Sequence, residues 1–147
     1  MKRLLALAAV LALAVAGSGA AIAARSSASP AAVARAWSKA LNANDNARAA
    51  ELFAPNARIV QSAVDVRLTT RALAIAFNAS LPCAGRVVAV TVHGDRAVAT
   101  FVLGERPKHR CDAPGAKAAA LFVVHGGKII LWEQVAVPKP TAGGPIA

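Results

Sequence analysis

No tyrosine occurs anywhere in the 147 residues, so no site in this chain can use a phenolic hydroxyl. There is no glycine-rich phosphate loop, no G-x-S-x-G, no internal repeat and no CxxC pair. Those absences remove the signatures of P-loop nucleotide binding, serine hydrolases, solenoids and dithiol redox sites. His93, His109 and His125 are not at metal-ligand spacing, and no metal or cofactor is expected. Acidic residues are scarce, seven Asp and Glu against 17 Lys and Arg, for a net charge of +10. The basic residues are scattered from Arg35 to Lys139 with no run of four. The excess therefore reads as a solvated surface and not as a nucleic-acid footprint, which needs clustering on one face. It still favours polyanions or anionic head groups, which keeps open an interaction module acting through its basic surface. No apolar run reaches the roughly 18 residues of a membrane span.

The chain opens on Lys2 and Arg3, an unbroken apolar stretch from Leu4 to Ala16, a Gly17-Ser18-Gly19 break, and small residues at Ala21 and Ala23. That is the layout of a secretory signal peptide over residues 1–23. It implies a secreted protein with no stable membrane insertion after cleavage, and a single domain over 24–137. Loss of Lys2 and Arg3 leaves 15 basic against 7 acidic residues, a net +8. Export places Cys83 and Cys111 in an oxidising compartment, where a pair normally bridges. Closing a loop of 28 positions is worth roughly 3–4 kcal/mol in the chain-entropy account. That is large beside the total of about 5–15 kcal/mol for a small domain.

Ser29 can cap a helix with Pro30 in its first turn, and Val33, Ala36, Trp37, Ala40 and Leu41 recur at helical spacing as far as Asn42. Asn44 and Asp45 make a turn and a new cap. Ala49, Leu52 and Phe53 give a shorter helix stopped at Pro55. Ala57 to Ser62 and Val64 to Leu68 read as strands. Thr69 and Thr70 can cap a third helix, with Leu73, Ala76, Phe77, Ser80 and Leu81 on one face and Pro82 ending it. The period then changes. Arg86 to His93 and Arg96 to Leu103 flank Gly94-Asp95, and Ala118 to His125 and Lys128 to Val137 flank Gly126-Gly127, with a polar loop over Glu105 to Lys117 between the pairs. The Pro/Gly-rich residues 138–147 read as a disordered tail. Helices followed by an antiparallel meander define an α+β fold, three N-terminal helices on a curved, mostly antiparallel sheet. Ala97, Ala99, Phe101 and Leu103 alternate with Val98 and Val102, so both faces of the late strands are apolar. A homodimer through the sheet face would cover the one the helices leave.

This order, with Trp37, Asn44-Asp45, Leu52-Phe53-Ala54-Pro55 and Gly127-Lys128-Ile129 ahead of Trp132, resembles the nuclear transport factor 2-like superfamily, the cone-shaped fold of ketosteroid isomerases and polyketide cyclases. The resemblance spans roughly residues 30–137. It implies a pocket between the helices and the concave sheet face, used for catalysis in some members and for binding a ligand or partner in others. The isomerase pattern calls for a pocket tyrosine, which is absent. It also calls for a carboxylate near the end of the first strand, where Gln61 stands. The resemblance therefore leans away from an enzyme.

The first functional reading is a pocket that binds a small apolar ligand among Trp37, Phe53, Phe77 and Trp132, with Gln61 and Gln134 as polar handles. It requires an enclosed cavity of roughly 300 Å³ or more. The same aromatics would otherwise be plain core. The second is an acid–base enzyme, an isomerase, cyclase or hydrolase, using Asp65 with His93 or Gln61. It requires Asp65 in the pocket, not paired with Arg67 or Arg71 or facing water, and His93 off the exposed hairpin end. His109, among Arg106, Lys108 and Arg110, offers an anion site or a solvated loop beside the bridge. Asn78-Ala79-Ser80 has the form of a glycosylation sequon but falls inside a helix, where it reads as chance.

Overall fold

A computed structural model describes residues 27–139, so the leader over 1–23 and the tail beyond Lys139 lie outside the described residues. The first helix, α1 (Pro30–Asn42), starts as expected. Ser29 Oγ accepts from the Ala32 N–H at 3.2 Å, and Pro30, which has no N–H to satisfy, fills the first turn. Its buried stripe is Val33, Ala34, Trp37, Ser38, Ala40 and Leu41, while Ala36 is exposed. The roll away from Ala36 has a polar cause. Ser38 Oγ donates to the Gly85 carbonyl, and Asn42 makes a two-way pair with the Gly85 backbone, at 3.2 Å from its Nδ2 and 2.8 Å to its Oδ1.

The second helix is shorter than its apolar pattern suggested. α2 (Asn46–Ala50) is capped by Asp45, which accepts from the Arg48 N–H at 2.9 Å, and follows Asn44 at a left-handed φ of 57°. It ends at Ala50, and Phe53 already opens strand β1 (Phe53–Gln61). Pro55 is thus inside a strand and does not stop a helix. The ladder runs from Phe53↔Ile129 directly to Arg58↔Leu131, and Pro55 sits in that irregularity, where a missing N–H removes no ladder bond.

β1 and β2 (Val64–Leu68) form a hairpin. The third helix, α3 (Arg71–Ser80), follows, with Thr70 Oγ1 accepting from the Leu73 N–H at 3.2 Å. Its buried residues are Ala74 and Asn78, helped by Ile75, Phe77 and Leu81, whereas Leu73, Ala76 and Ser80 are exposed. The expected face was rotated because a polar residue, Asn78, takes the innermost position. Fully buried, it satisfies its amide by accepting from the Trp37 indole N–H at 3.0 Å and donating to the Asn46 carbonyl at 3.3 Å. A residue so enclosed is no acceptor for a glycan in the folded chain.

The meander comprises β3 (Ala84–His93), β4 (Arg96–Gly104), β5 (Lys117–His125) and β6 (Lys128–Val135). Gly126 and Gly127 both take positive φ, 56° and 75°, the requirement of a two-residue hairpin turn. The six strands form one curved sheet in the order β2-β1-β6-β5-β4-β3, antiparallel throughout except for the β1–β6 pair. This is the α+β arrangement expected. The helices cover one face, whose core includes Ile59, Ala99, Phe101, Ala120, Phe122, Ile129 and Trp132. Ala99 lies opposite Ala120, and this pair of small residues leaves room above β4 and β5 for Trp37 to enter. Its ring meets Phe122 at 5.5 Å, Trp132 at 5.9 Å and Phe101 at 6.3 Å. On the other face Val98, Leu121 and Leu131 remain half-exposed.

Candidate functional site: a cavity between the first helix and the sheet

A half-open cavity of about 230 Å³ lies where α1 stands off the sheet. Trp37 and Leu41 form its helical side. Phe101 and Leu103 on β4, Ala118 and Ala120 on β5, and Trp132 and Gln134 on β6 form its floor, with Gln61 from the end of β1. Leu81, Pro82, Cys83 and Asp112 form the rim. The alternation of strand residues puts Phe101, Leu103, Ala118, Ala120, Trp132 and Gln134 on one face, and the alanines create the space. The volume falls short of the roughly 300 Å³ expected and the cavity is not closed, because Trp37 and Trp132 fill its deep end. Only a small occupant fits.

Four of the six expected lining residues meet here: Trp37, Gln61, Trp132 and Gln134. Phe53 and Phe77 do not. They stack behind Trp132, Phe77 at 5.2 Å from its ring and Phe53 at 5.9 Å from Phe77, and belong to the core. Asp112, Leu81 and Leu103 were missed because they come from a polar loop, a helix terminus and a strand end that periodicity does not place. The indole nitrogen of Trp132 is buried without a hydrogen-bond acceptor.

The acid–base residues are elsewhere. Asp65 sits on the β1–β2 hairpin, its side chain 51% exposed, and accepts two hydrogen bonds from Arg58, the Nε one at 2.8 Å. Its partner is neither Arg67 nor Arg71, because Val60 pairs with Asp65 and places Arg58 diagonally across the ladder. Those hydrogen bonds hold the carboxyl below its ordinary value of 3.8, outweighing desolvation, with the charges of Arg58 and Arg67 acting in the same direction. We expect a carbon-detected NMR titration to place the Asp65 midpoint below 3.8 and to return it to that range in Arg58→Ala. The sign follows for stability: the pair contributes above the ordinary value and is lost as pH falls through the lowered one. An unchanged midpoint in the variant would refute the pairing. His93 is exposed at its hairpin end, far from forming a dyad with Asp65 or Gln61.

Of the two readings of the segment around His109, the anion-holding basic cluster does not assemble. Arg106 turns inward and is only 3% exposed, while Lys108 and Arg110 face water. Its guanidinium donates from Nη1 to the carbonyls of Asn78 at 2.9 Å and Leu81 at 2.7 Å, and from Nη2 to Oδ1 of Asn44 at 2.6 Å and of Asn46 at 2.7 Å. All four acceptors are neutral, Nε has none, and burial lowers the pKa of the group. The Asn78 and Leu81 carbonyls belong to the C-terminal end of α3, where the helix dipole favours a cation.

Cys83 and Cys111 form the expected disulfide, tying the start of β3 to the β4–β5 loop. Asp112 Oδ1 lies 3.3 Å from Cys83 Sγ, a contact only, since a bridged sulfur carries no proton. For the same reason the Cys83, Cys111 and Asp112 cluster offers no thiolate to a metal. A second, more open groove of about 560 Å³ lies beside α2, β1 and α3, but its charges are used among themselves: Arg71 pairs with Glu51 at 3.0 Å and Lys128 Nζ donates to the Glu51 carbonyl at 2.6 Å. Among the described residues no helix is long and apolar enough to cross a membrane.

A helix-covered, curved α+β sheet with a pocket on its concave side defines the nuclear transport factor 2-like class. Within it, residues 34–132 match the SnoaL-like domain, and the chain belongs to that family. No curated protein matches it. Among solved structures, the chain resembles a nuclear transport factor 2-like protein of unknown function from Cytophaga hutchinsonii (TM-score 0.61, 10% identity, covering 76% of this chain and 92% of that one). It also resembles a protein with a ketosteroid isomerase-like fold from Catenulispora acidiphila, solved with trimethylamine (0.60, 18%, 74% and 87%). A third is a protein provisionally described as a polyketide cyclase from Sinorhizobium meliloti (0.57, 19%, 70% and 93%). At these identities the likeness is one of fold.

Proposed function

We propose that this SnoaL-like protein is an exported ligand-binding protein that holds a small, largely apolar molecule against Trp37 and Trp132, without acid–base catalysis. The observation that carries the reading is the composition of the cavity: aromatic and aliphatic walls, two amides, and no histidine or buried carboxylate to serve as a base. Export is the reading of residues 1–23, and the Cys83–Cys111 bridge fits an oxidising destination. Dimerisation through the half-exposed face around Val98, Leu121 and Leu131 is part of the same proposal, and the association state in solution is measured by sedimentation equilibrium, a monomer at micromolar concentration refuting it.

The chain's two tryptophans both line the cavity and there is no tyrosine, so intrinsic emission reports on this site. Titration with cyclohexanol or cyclooctanol, saturated alcohols that do not absorb where tryptophan is excited, is expected to give a saturable change in intensity or wavelength. Ala118→Phe, which fills the floor, should abolish it while retaining a cooperative melt. A flat titration with both compounds up to millimolar concentration would remove the ligand-binding reading.

A further inference from the structure

We infer that the cavity selects a small organic ammonium ion, its apolar body against the aromatic wall and its charged head at Asp112. The inference rests on the ligand-binding reading above and names the ligand class. The chain carries 17 basic residues against seven acidic ones, yet among the described residues no basic side chain lines the cavity, and Asp112 is the one ionisable side chain that does. Among the described residues no Lys, Arg or His lies within salt-bridge distance of Asp112, whereas Asp65, Glu51 and Asp95 each have an arginine. The acid at the rim is therefore not committed to a partner within the fold.

The rest of the wall suits the same class of ligand. Trp37, Phe101 and Trp132 supply ring surface, and a cation within about 6 Å of a ring centroid is attracted by its quadrupole. Gln61 and Gln134 add amide oxygens that can accept from an ammonium N–H. A neutral hydrocarbon would use the rings and leave Asp112 idle, and a carboxylate ligand would be repelled by it. The chain's positive charge does not overrule this, because exposed charges beyond about 8 Å are screened at physiological ionic strength.

The test compares three ligands of one shape by tryptophan emission at neutral pH, where an alkylamine is protonated. Cyclohexylammonium is expected to bind roughly fivefold to tenfold more tightly than cyclohexanol, as one exposed ion pair and one cation–π contact imply, and cyclohexanecarboxylate more weakly than either. Asp112→Asn should bring the ratio of amine to alcohol affinity to about one and keep the melting temperature, since Asp112 is exposed. Equal affinity for the amine and the alcohol, or an amine preference that survives Asp112→Asn, would overturn the ammonium assignment while the ligand site stands. Binding of none of the three would overturn both.

Discussion

Arg106→Ala is expected to lower the unfolding free energy by about 3–5 kcal/mol, since it leaves several buried neutral acceptors unsatisfied at about 1–3 kcal/mol each. The cost arises from what is left behind. Two asparagine Oδ1 atoms and the Asn78 and Leu81 carbonyls lose their donor in a place where the arginine itself is 3% exposed. Arg106→Lys should recover only part of the loss, because one ammonium cannot present two forked nitrogens to four oxygens. Arg106→Met tests the alternative that the aliphatic stem matters more than the head: if stem packing dominates, Met will be close to wild type. Urea denaturation followed by far-UV circular dichroism measures all three. A shift under 1 kcal/mol for Arg106→Ala would mean that water replaces the guanidinium at little cost.

The second large effect is expected from the disulfide. Opening a loop of 28 residues, by reduction or by Cys83→Ser with Cys111→Ser, should cost roughly 3–4 kcal/mol. The two effects should not add. Arg106 and Cys111 both pin the segment between β4 and β5, one to the helical layer and the other to the start of β3. Once either anchor is gone, the segment is freer and the remaining anchor has less order to preserve. A double-mutant cycle is therefore expected to show coupling of at least about 0.5 kcal/mol. Strict additivity would place the two anchors in independent units. Because Cys83 also lines the cavity, reduction should weaken ligand affinity in a protein that still melts cooperatively.

Most elements were legible in the sequence where a local rule decides them. Ser29, Asp45 and Thr70 cap helices as their side chains allow, and Gly126-Gly127 takes the two positive φ values of its turn without a Cβ penalty. What local pattern could not show was any choice made by partners far along the chain. Pro55 lies in a strand because β6 tolerates an irregularity there, and Leu73 faces water because Asn78 finds Trp37 and Asn46. Arg106 looked like one more solvated cation, and its buried role depends on two asparagines some 60 residues earlier. The site divides in the same way. Trp37, Trp132 and Gln134 could be named from helix and strand phase and Gln61 from the family resemblance, while Asp112 reaches the rim only through the disulfide beside it.

The position of β6 bears on how the chain reaches this structure. The last strand to be made is not at an edge: it lies between β5 and β1, and its parallel pairing with β1 joins residues more than 70 positions apart. The hairpin of β1 and β2 has no other neighbour in the sheet, so until Lys128–Val135 arrives the first half of the chain can fold only its helices and an isolated hairpin, which is marginal in water. High contact order of this kind slows folding and makes completion all-or-none at the C-terminal end. A chain truncated before Lys128 would lose one strand of eight residues, and with it the seam that joins the two parts of the sheet.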